Sequence, residues 1–108
     1  MEIQIQSIHF KADRKLTGFI NEKVEKLNQF FEGIISSEIF LRLDKADNSA
    51  NKVAEIKIHV PGNEFYVKRQ CKTFEESVDT CVQALTKQVK KYKEKSQLKH
   101  VEDIAKIL

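Results

Sequence analysis

Hydrophobic and polar residues alternate with a period of two in four short segments, and this alternation predicts β-strands that each bury one face. The four segments are residues 1–6, 34–43, 54–60 and 65–69. Pro61-Gly62-Asn63 separates the last two, so we expect a tight turn and a β-hairpin there. Residues 44–51 are polar and turn-prone, which predicts a loop between the second and third strands.

Two longer segments repeat with the helical period of 3.6. The first helix is predicted to follow Asp13 as its N-cap and to end near Gly33, the expected left-handed residue after the C-cap. Its apolar stripe is Leu16, Ile20, Val24, Leu27 and Phe31. The second helix runs from Thr73 to about Lys95, and Thr73 and Glu76 have the spacing of a capping box. Its stripe is Phe74, Val78, Cys81, Val82, Leu85, Val89 and Tyr92.

The resulting order is β-α-β-β-β-α. Alternating strands have one covered face and one wet face, and two amphipathic helices are a natural cover. The sequence therefore predicts an α+β fold, a two-layer sandwich with both helices on one face of a mostly antiparallel four-stranded sheet. Residues 1–95 would form this single domain. Residues 96–108 would be a tail that either continues the second helix or docks loosely.

The composition argues against several classes of function. The N-terminus lacks the apolar run of a signal peptide, and no stretch approaches the length of a membrane span, so we expect a cytoplasmic protein without a membrane partner. Neither the two cysteines nor the three scattered histidines have the partners of a catalytic or metal site. No phosphate-binding glycine loop is present. These features predict no enzyme activity, no metal, no cofactor and no small-molecule substrate; an enzyme that uses Cys71 or a histidine is the weakest alternative.

Charge is distributed unevenly, and this matters more than the net charge of +3. Five of the nine residues from 87 to 95 are lysines, and Glu94 is the only acidic residue among them. On the first helix, Lys23 falls inside the apolar arc and Lys26 at its edge. Lysines from both helices are thus predicted to form one cationic strip that binds RNA phosphates. The predicted RNA-binding residues are Lys23, Lys26, Lys87, Lys90, Lys91, Lys93 and Lys95.

A structural explanation of the same lysines stays open. Lysines near a helix C-terminus complement its dipole, and Lys23 can extend its ammonium out of an apolar arc. The lysine run, however, has Glu94 as its only acidic residue, so most of its lysines lack the glutamates at i, i+4 spacing that usually accompany a merely solvated charged face. This imbalance favours a polyanionic partner.

The two helical segments resemble those of the short ribosome hibernation-promoting factors, also called the protein Y or ribosome-associated inhibitor family. In residues 16–31 the pattern is matched by Leu16, Lys23, Lys26, Leu27 and Phe31. In residues 73–95 it is matched by Phe74, Val78, Asp79, Leu85, Lys87, Gln88, Lys91, Lys93 and Lys95. One departure is that Gln83 and Ala84 stand where the family commonly has a basic residue, one turn before Lys87.

The resemblance implies a fold similar to a double-stranded-RNA-binding domain with an extra leading strand. It also implies binding to the small ribosomal subunit and the intact ribosome, in the channel used by mRNA and tRNA, to keep ribosomes idle in slow growth or stress. The basic helix residues would then contact the backbone of 16S-type rRNA. The alternative is a stand-alone module of similar shape that binds another structured RNA.

Overall fold

The computed structural model describes residues 2–31, 33–45 and 49–107, and in residues 95–107 it describes only the course of a helix. The elements are β1 (Glu2–Ser7), α1 (Arg14–Phe30), β2 (Ser36–Leu43), β3 (Lys52–Val60), β4 (Asn63–Cys71) and α2 (Phe74–Ile107). This order confirms the predicted β-α-β-β-β-α arrangement. Of the predicted strand 1–6 and loop 44–51, Met1 and residues 46–48 lie outside the described residues.

The four strands form one mixed sheet with the spatial order β1-β2-β3-β4. β1 and β2 are parallel, because α1 crosses over between them, and the other two pairs are antiparallel. The register places Ile5, Ile39, Ile56 and Val67 side by side in one row across all four strands. That row lies in the main hydrophobic cluster, so the sheet contributes a continuous apolar surface to the core.

The turn between β3 and β4 has the conformation that its sequence predicts. Val60 pairs with Asn63, which leaves Pro61 and Gly62 as the two turn residues. Gly62 has a φ of 76°, a left-handed value that glycine adopts at no steric cost. Proline at the first turn position and a left-handed glycine at the second is the combination typical of a type II turn.

Both helices begin at the predicted caps. The Asp13 carboxylate accepts a hydrogen bond from the backbone N–H of Leu16 at 2.8 Å. The Thr73 hydroxyl oxygen accepts one from the backbone N–H of Glu76 at 3.1 Å. Each cap satisfies one of the N–H groups that a helix start leaves without an intrahelical acceptor.

The end of α1 differs from the prediction. The helix stops at Phe30, and the C-cap Phe31 is extended, with φ −137° and ψ 104°. Because Phe31 is the C-cap, Gly33 lies two positions beyond it, and its predicted role as the residue directly after the C-cap is wrong. Its lack of a side chain has a different use: a Cβ at this position would lie 2.9 Å from the Phe31 ring. Gly33 therefore gives the Phe31 ring the room to turn inward.

Both helices pack on the same face of the sheet, as predicted. On α1 the buried apolar residues are Leu16, Ile20, Val24 and Leu27, and on α2 they are Val78, Cys81, Leu85 and Val89. The Tyr92 ring ties the layers together, because it makes edge-to-face contacts with Phe31 after α1 and Phe65 on β4, at centroid distances of 6.4 and 5.5 Å. The buried Ser77 hydroxyl lies 2.6 Å from the Lys52 carbonyl oxygen and so links α2 to β3.

α2 is one helix of 34 residues. It runs on through residues 96–107, so of the two alternatives for the tail the backbone takes the helical continuation. The division into a domain and a tail at residue 95 stays a prediction. In the part of the chain that the structure describes, no helix combines the length and the hydropathy that crossing a membrane requires.

Replacing Leu85 with alanine tests the position of α2 on the sheet. Leu85 is completely buried at the centre of the α2 stripe, so Leu85→Ala removes apolar contacts and leaves a cavity. We expect the free energy of unfolding, measured by urea denaturation, to fall by about 2–5 kcal/mol. Gln83 is exposed on the same helix, and Gln83→Ala should change it by no more than about 0.5 kcal/mol. Equal effects of the two substitutions would contradict this packing.

Candidate nucleic-acid interface

The uncovered face of the sheet carries charged residues that already have partners. Arg42 Nη1 lies 2.8 Å from Glu55 Oε2, and the Tyr66 hydroxyl donates a hydrogen bond of 2.7 Å to the other oxygen of the same carboxylate. Burial acts to raise the pKa of the Glu55 carboxyl, but these hydrogen bonds and the positive charges of Arg42 and Lys68 lower it overall. The hydrogen bond to Glu55 raises the pKa of Tyr66. Glu55 is therefore a carboxylate at neutral pH and neutralises Arg42.

The same pairing continues toward the β3–β4 turn. Lys57 Nζ lies 3.3 Å from a Glu64 carboxylate oxygen. His59 lies between Glu38 and Glu64. Its Nε2 is 3.5 Å from the Glu38 carboxylate, and its Nδ1 is 3.5 Å from the Glu64 carboxylate. A phosphate approaching this face would have to displace these carboxylates, so the open face of the sheet is a poor surface for RNA.

The outer surface of α2 has the opposite character. Lys87, Lys90 and Lys91 are exposed, and none of them forms an ion pair with any other residue that the structure describes. The buried stripe fixes their directions: at 100° per residue, Lys87 points almost directly away from Leu85 and Val89. Three cations in five residues without acidic partners make this the surface most suited to attract a polyanion.

The two helices meet along a groove, and it holds the lysines predicted on α1. Lys23 Nζ lies 3.3 Å from the Asp79 carboxylate on α2 and 5.5 Å from the centroid of the Phe19 ring. Farther along, Lys93 Nζ lies 5.9 Å from the centroid of the Phe30 ring. Since Lys23 meets Asp79 and Phe30 meets Lys93, the helices run in the same direction. Lys26 is exposed one turn beyond Lys23.

The structure therefore brings together part of the predicted set. Four of them lie along the side of the helix pair where α1 and α2 meet. Contacts place Lys23 and Lys93 there, and helical phase places Lys26 and Lys90. Lys87 lies on the crest of α2, the line along the helix that faces directly away from the sheet. Lys91 lies beyond the crest, at a separate groove that Asn63 and Phe65 help to line. The side chain of Lys95 lies outside the described residues.

Asp79 lies in the groove between the helices but was not among the predicted site residues. It pairs with Lys23 and also accepts a hydrogen bond of 2.9 Å from the Gln83 amide. Its negative charge offsets the positive charge of Lys23. Among the described residues of α2, the lysines without acidic partners therefore begin only after Asp79. The helical phase of α2 could have revealed Asp79, because it places this residue on the same side of the helix as Lys90.

The two cysteines differ in accessibility. Cys81 is completely buried, and burial raises its pKa to about 12. Its sulfur lies 3.4 Å from the Ala54 carbonyl oxygen, in the position of a small core residue. Cys71 is half-buried, and its sulfur lies 3.9 Å from the Thr80 hydroxyl oxygen. The described residues contain no group of three or more histidine, cysteine or acidic side chains suited to a metal ion.

A protein-family model described as sigma 54 modulation protein / S30EA ribosomal protein matches residues 3–97 of the sequence, which is most of the chain. The chain belongs to this family. The match includes α1, the part of α2 up to residue 97 and all of the lysines in the predicted strip, and it confirms the resemblance to the hibernation-promoting factors.

Two relatives match most of the chain at low sequence identity. The chain is 23% identical over 97 residues to the ribosome hibernation promoting factor of Pseudomonas putida, covering 90% of this chain and 91% of that protein. It is 25% identical over 95 residues to the factor of that name from Klebsiella oxytoca, with coverages of 88% and 96%.

Two solved structures have the same fold. One is a ribosomal subunit interface protein from Coxiella burnetii, with a TM-score of 0.78 and 19% identity, covering 87% of this chain and 99% of that one. The other is the N-terminal domain of Thermus thermophilus Protein Y, with a TM-score of 0.73 and 20% identity, covering 85% and 99%. Both confirm the predicted α+β architecture.

Alkylation tests the assignment of Cys81 to the core. At about pH 8, iodoacetamide should label Cys71 in the folded protein and spare Cys81, because alkylation needs an accessible thiolate. Mass spectrometry should show one label on the native chain and two after denaturation. The folded Cys71→Ser variant should take none. Rapid labelling of native Cys81 would contradict its burial.

Proposed function

We propose that this protein binds the small ribosomal subunit in the channel used by mRNA and tRNA and thereby holds ribosomes inactive. The observation that carries the proposal is the cluster of exposed lysines on α2 that have no acidic partner among the described residues, next to Lys26 on α1, in a chain of this family. The names of the similar proteins, ribosome hibernation promoting factor and ribosomal subunit interface protein, support it.

The proposed mechanism is positional and electrostatic. Lysine ammonium groups contact phosphates as point charges, so they fix the protein on folded RNA without reading its sequence. The rigid packing of α2 on the sheet holds these charges in a fixed array. Inhibition then follows from occupancy, because a protein lodged in the channel excludes mRNA and tRNA. No bond is made or broken, and the protein acts in the cytoplasm without a cofactor.

The distribution of charge on α2 limits where RNA would lie. Glu75 and Glu76 occupy the first turn of the helix, and Asp79 follows on the next. These carboxylates repel phosphate, whereas Lys87, Lys90 and Lys91 attract it. The RNA backbone should therefore follow the second half of α2 and the neighbouring end of α1, and avoid the start of α2.

Salt dependence tests whether phosphate contacts supply the affinity. If about five phosphates are neutralised, with a slope near −0.9 per contact borrowed from duplex DNA, affinity for purified small subunits should fall roughly 500-fold between about 50 and 200 mM salt. A fluorescent derivative of the protein would allow the measurement by anisotropy. A flat response would exclude an electrostatic interface.

Paired charge reversals test the location of the site. The Lys87→Glu, Lys91→Glu double variant should lose most binding to small subunits and most inhibition of cell-free translation. We also expect its salt slope to shrink by about 2, one unit for each lost phosphate contact. Both side chains are exposed, so the fold should be unaffected.

A matched control changes the same net charge elsewhere. Lys45 and Lys72 are also exposed, one in the loop after β2 and the other just before α2. The Lys45→Glu, Lys72→Glu variant should keep most of its inhibition and its salt slope. Equal loss in both double variants would mean that the ribosome responds to overall charge. Equal affinity of the wild-type protein for small subunits and for an unrelated RNA duplex would favour the stand-alone RNA-binding module.

A further inference from the structure

Packing does not explain the position of the Phe30 ring. Phe30 is the last residue of α1, and its side chain is 42% exposed, although the adjacent Phe31 packs against Tyr92. Phe30 is also absent from the hydrophobic cluster that includes the half-buried Phe31 and Phe19. An aromatic ring in water is less stable than the same ring buried against other apolar groups. A ring held exposed at the edge of a cationic surface therefore suggests a ligand that covers it.

The ring forms part of an open groove with a volume of about 520 Å³. Its lining combines three kinds of group: the aromatic rings of Phe30 and Phe31, the amide of Gln29 and the ammonium of Lys93. Gly33 contributes only backbone, which keeps the groove open on that side. The volume falls within the range of small-ligand sites, roughly 300–1,000 Å³.

These groups match the chemistry of an unpaired nucleotide. Nucleobases stack on exposed aromatic rings, and this stacking tolerates any base because each has a π-face. A lysine beside the ring is placed to meet the phosphate of the same nucleotide. The Gln29 amide offers both a donor and an acceptor to the edge of a base.

We propose that this groove binds a single unpaired nucleotide of RNA, with its base stacked on Phe30 and its phosphate against Lys93. The proposal rests on the proposed function, since it adds a stacking site to the same phosphate-binding strip. Charge complementarity favours RNA over an apolar segment of protein. Such a segment would cover the Phe30 ring but would bury the ammonium of Lys93 beside it without a partner of opposite charge.

The contact between Lys93 and Phe30 is the one that a bound nucleotide would replace. With the ammonium 5.9 Å from the ring centroid, the cation is attracted by the electron-rich face of the ring. A stacked base replaces this contact, and the ammonium gains a phosphate in exchange. The attraction lost on the ring is thereby replaced by an ion pair, so binding leaves no charge without a partner.

A short single-stranded RNA provides the test. The probe is an oligouridylate of about eight nucleotides with 2-aminopurine in the middle, where weakly stacking uridines leave the fluorophore largely unquenched, and it is added to the protein at about 50 mM salt. Stacking quenches 2-aminopurine, so we expect quenching with the wild-type protein. Phe30→Ala should weaken binding about 5- to 150-fold and abolish the quenching. Phe30→Tyr keeps the ring and should restore both.

Two further variants separate stacking from other effects. Ile35 is 59% exposed and does not line the groove, so Ile35→Ala removes an exposed apolar side chain without touching the site and should bind like wild type. Lys93→Ala should weaken binding but retain quenching. Unchanged affinity and quenching in Phe30→Ala would overturn the proposal, as would equal losses in Ile35→Ala.

Small subunits, measured in parallel, distinguish the two proposals. Wild-type protein that quenches the probe through Phe30 but does not bind subunits would overturn the ribosomal function and leave the stacking site standing. Subunit binding by the wild type together with unchanged probe binding by Phe30→Ala would overturn only the stacking site. If Phe30→Ala loses affinity for small subunits but binds the oligonucleotide probe like wild type, the groove contacts ribosomal protein, and the nucleotide proposal fails.

Discussion

Burial of one apolar stripe of α2 on the sheet determines the direction of every other side chain on that helix. Val78, Leu85 and Val89 are completely buried, and a helix of 3.6 residues per turn leaves no freedom once these three are placed. Lys87 must then lie on the crest, and Lys90 must turn toward α1. The hydrophobic core thus fixes the electrostatic surface, although no core residue carries charge. Caps, the Ser77 contact with β3 and the Tyr92 ring all hold the same register.

The predictable part of this fold is the part governed by local chemistry. Period-two and period-3.6 patterns identified all six elements, because burial on one face imposes them directly on the sequence. Asp13 and Thr73 were recognisable as caps because their partners lie three residues away. The end of α1 was predicted one residue too late, because its C-cap is Phe31. There a tertiary contact decides the conformation, since Phe31 leaves the helix to pack against Tyr92, and Gly33 provides space where a left-handed turn was expected.

The candidate site divides in the same way. Helical phase was enough to place the exposed lysines of α2 on one side, and to place Lys23 at the edge that faces α2. The partner of Lys23 was not predictable, because Asp79 reaches it only through the packing of α1 against α2. The ion pairs on the open face of the sheet likewise depend on strand register, which brings Arg42 and Tyr66 to opposite sides of Glu55. Sequence patterns show which face a residue occupies but not its neighbours across an interface.

The order of charges along α2 gives the molecule an electric dipole along its longest element. Glu76 and Lys90 are separated by about 21 Å at 1.5 Å per residue, which exceeds the Debye length of about 8 Å at physiological ionic strength. The two ends therefore respond almost independently to a nearby polyanion. As the protein diffuses toward one, the lysine half is drawn in and the acidic half is pushed away, and the resulting torque rotates the domain before any contact forms. The charge order of α2 thus favours one orientation in which the protein meets a polyanion.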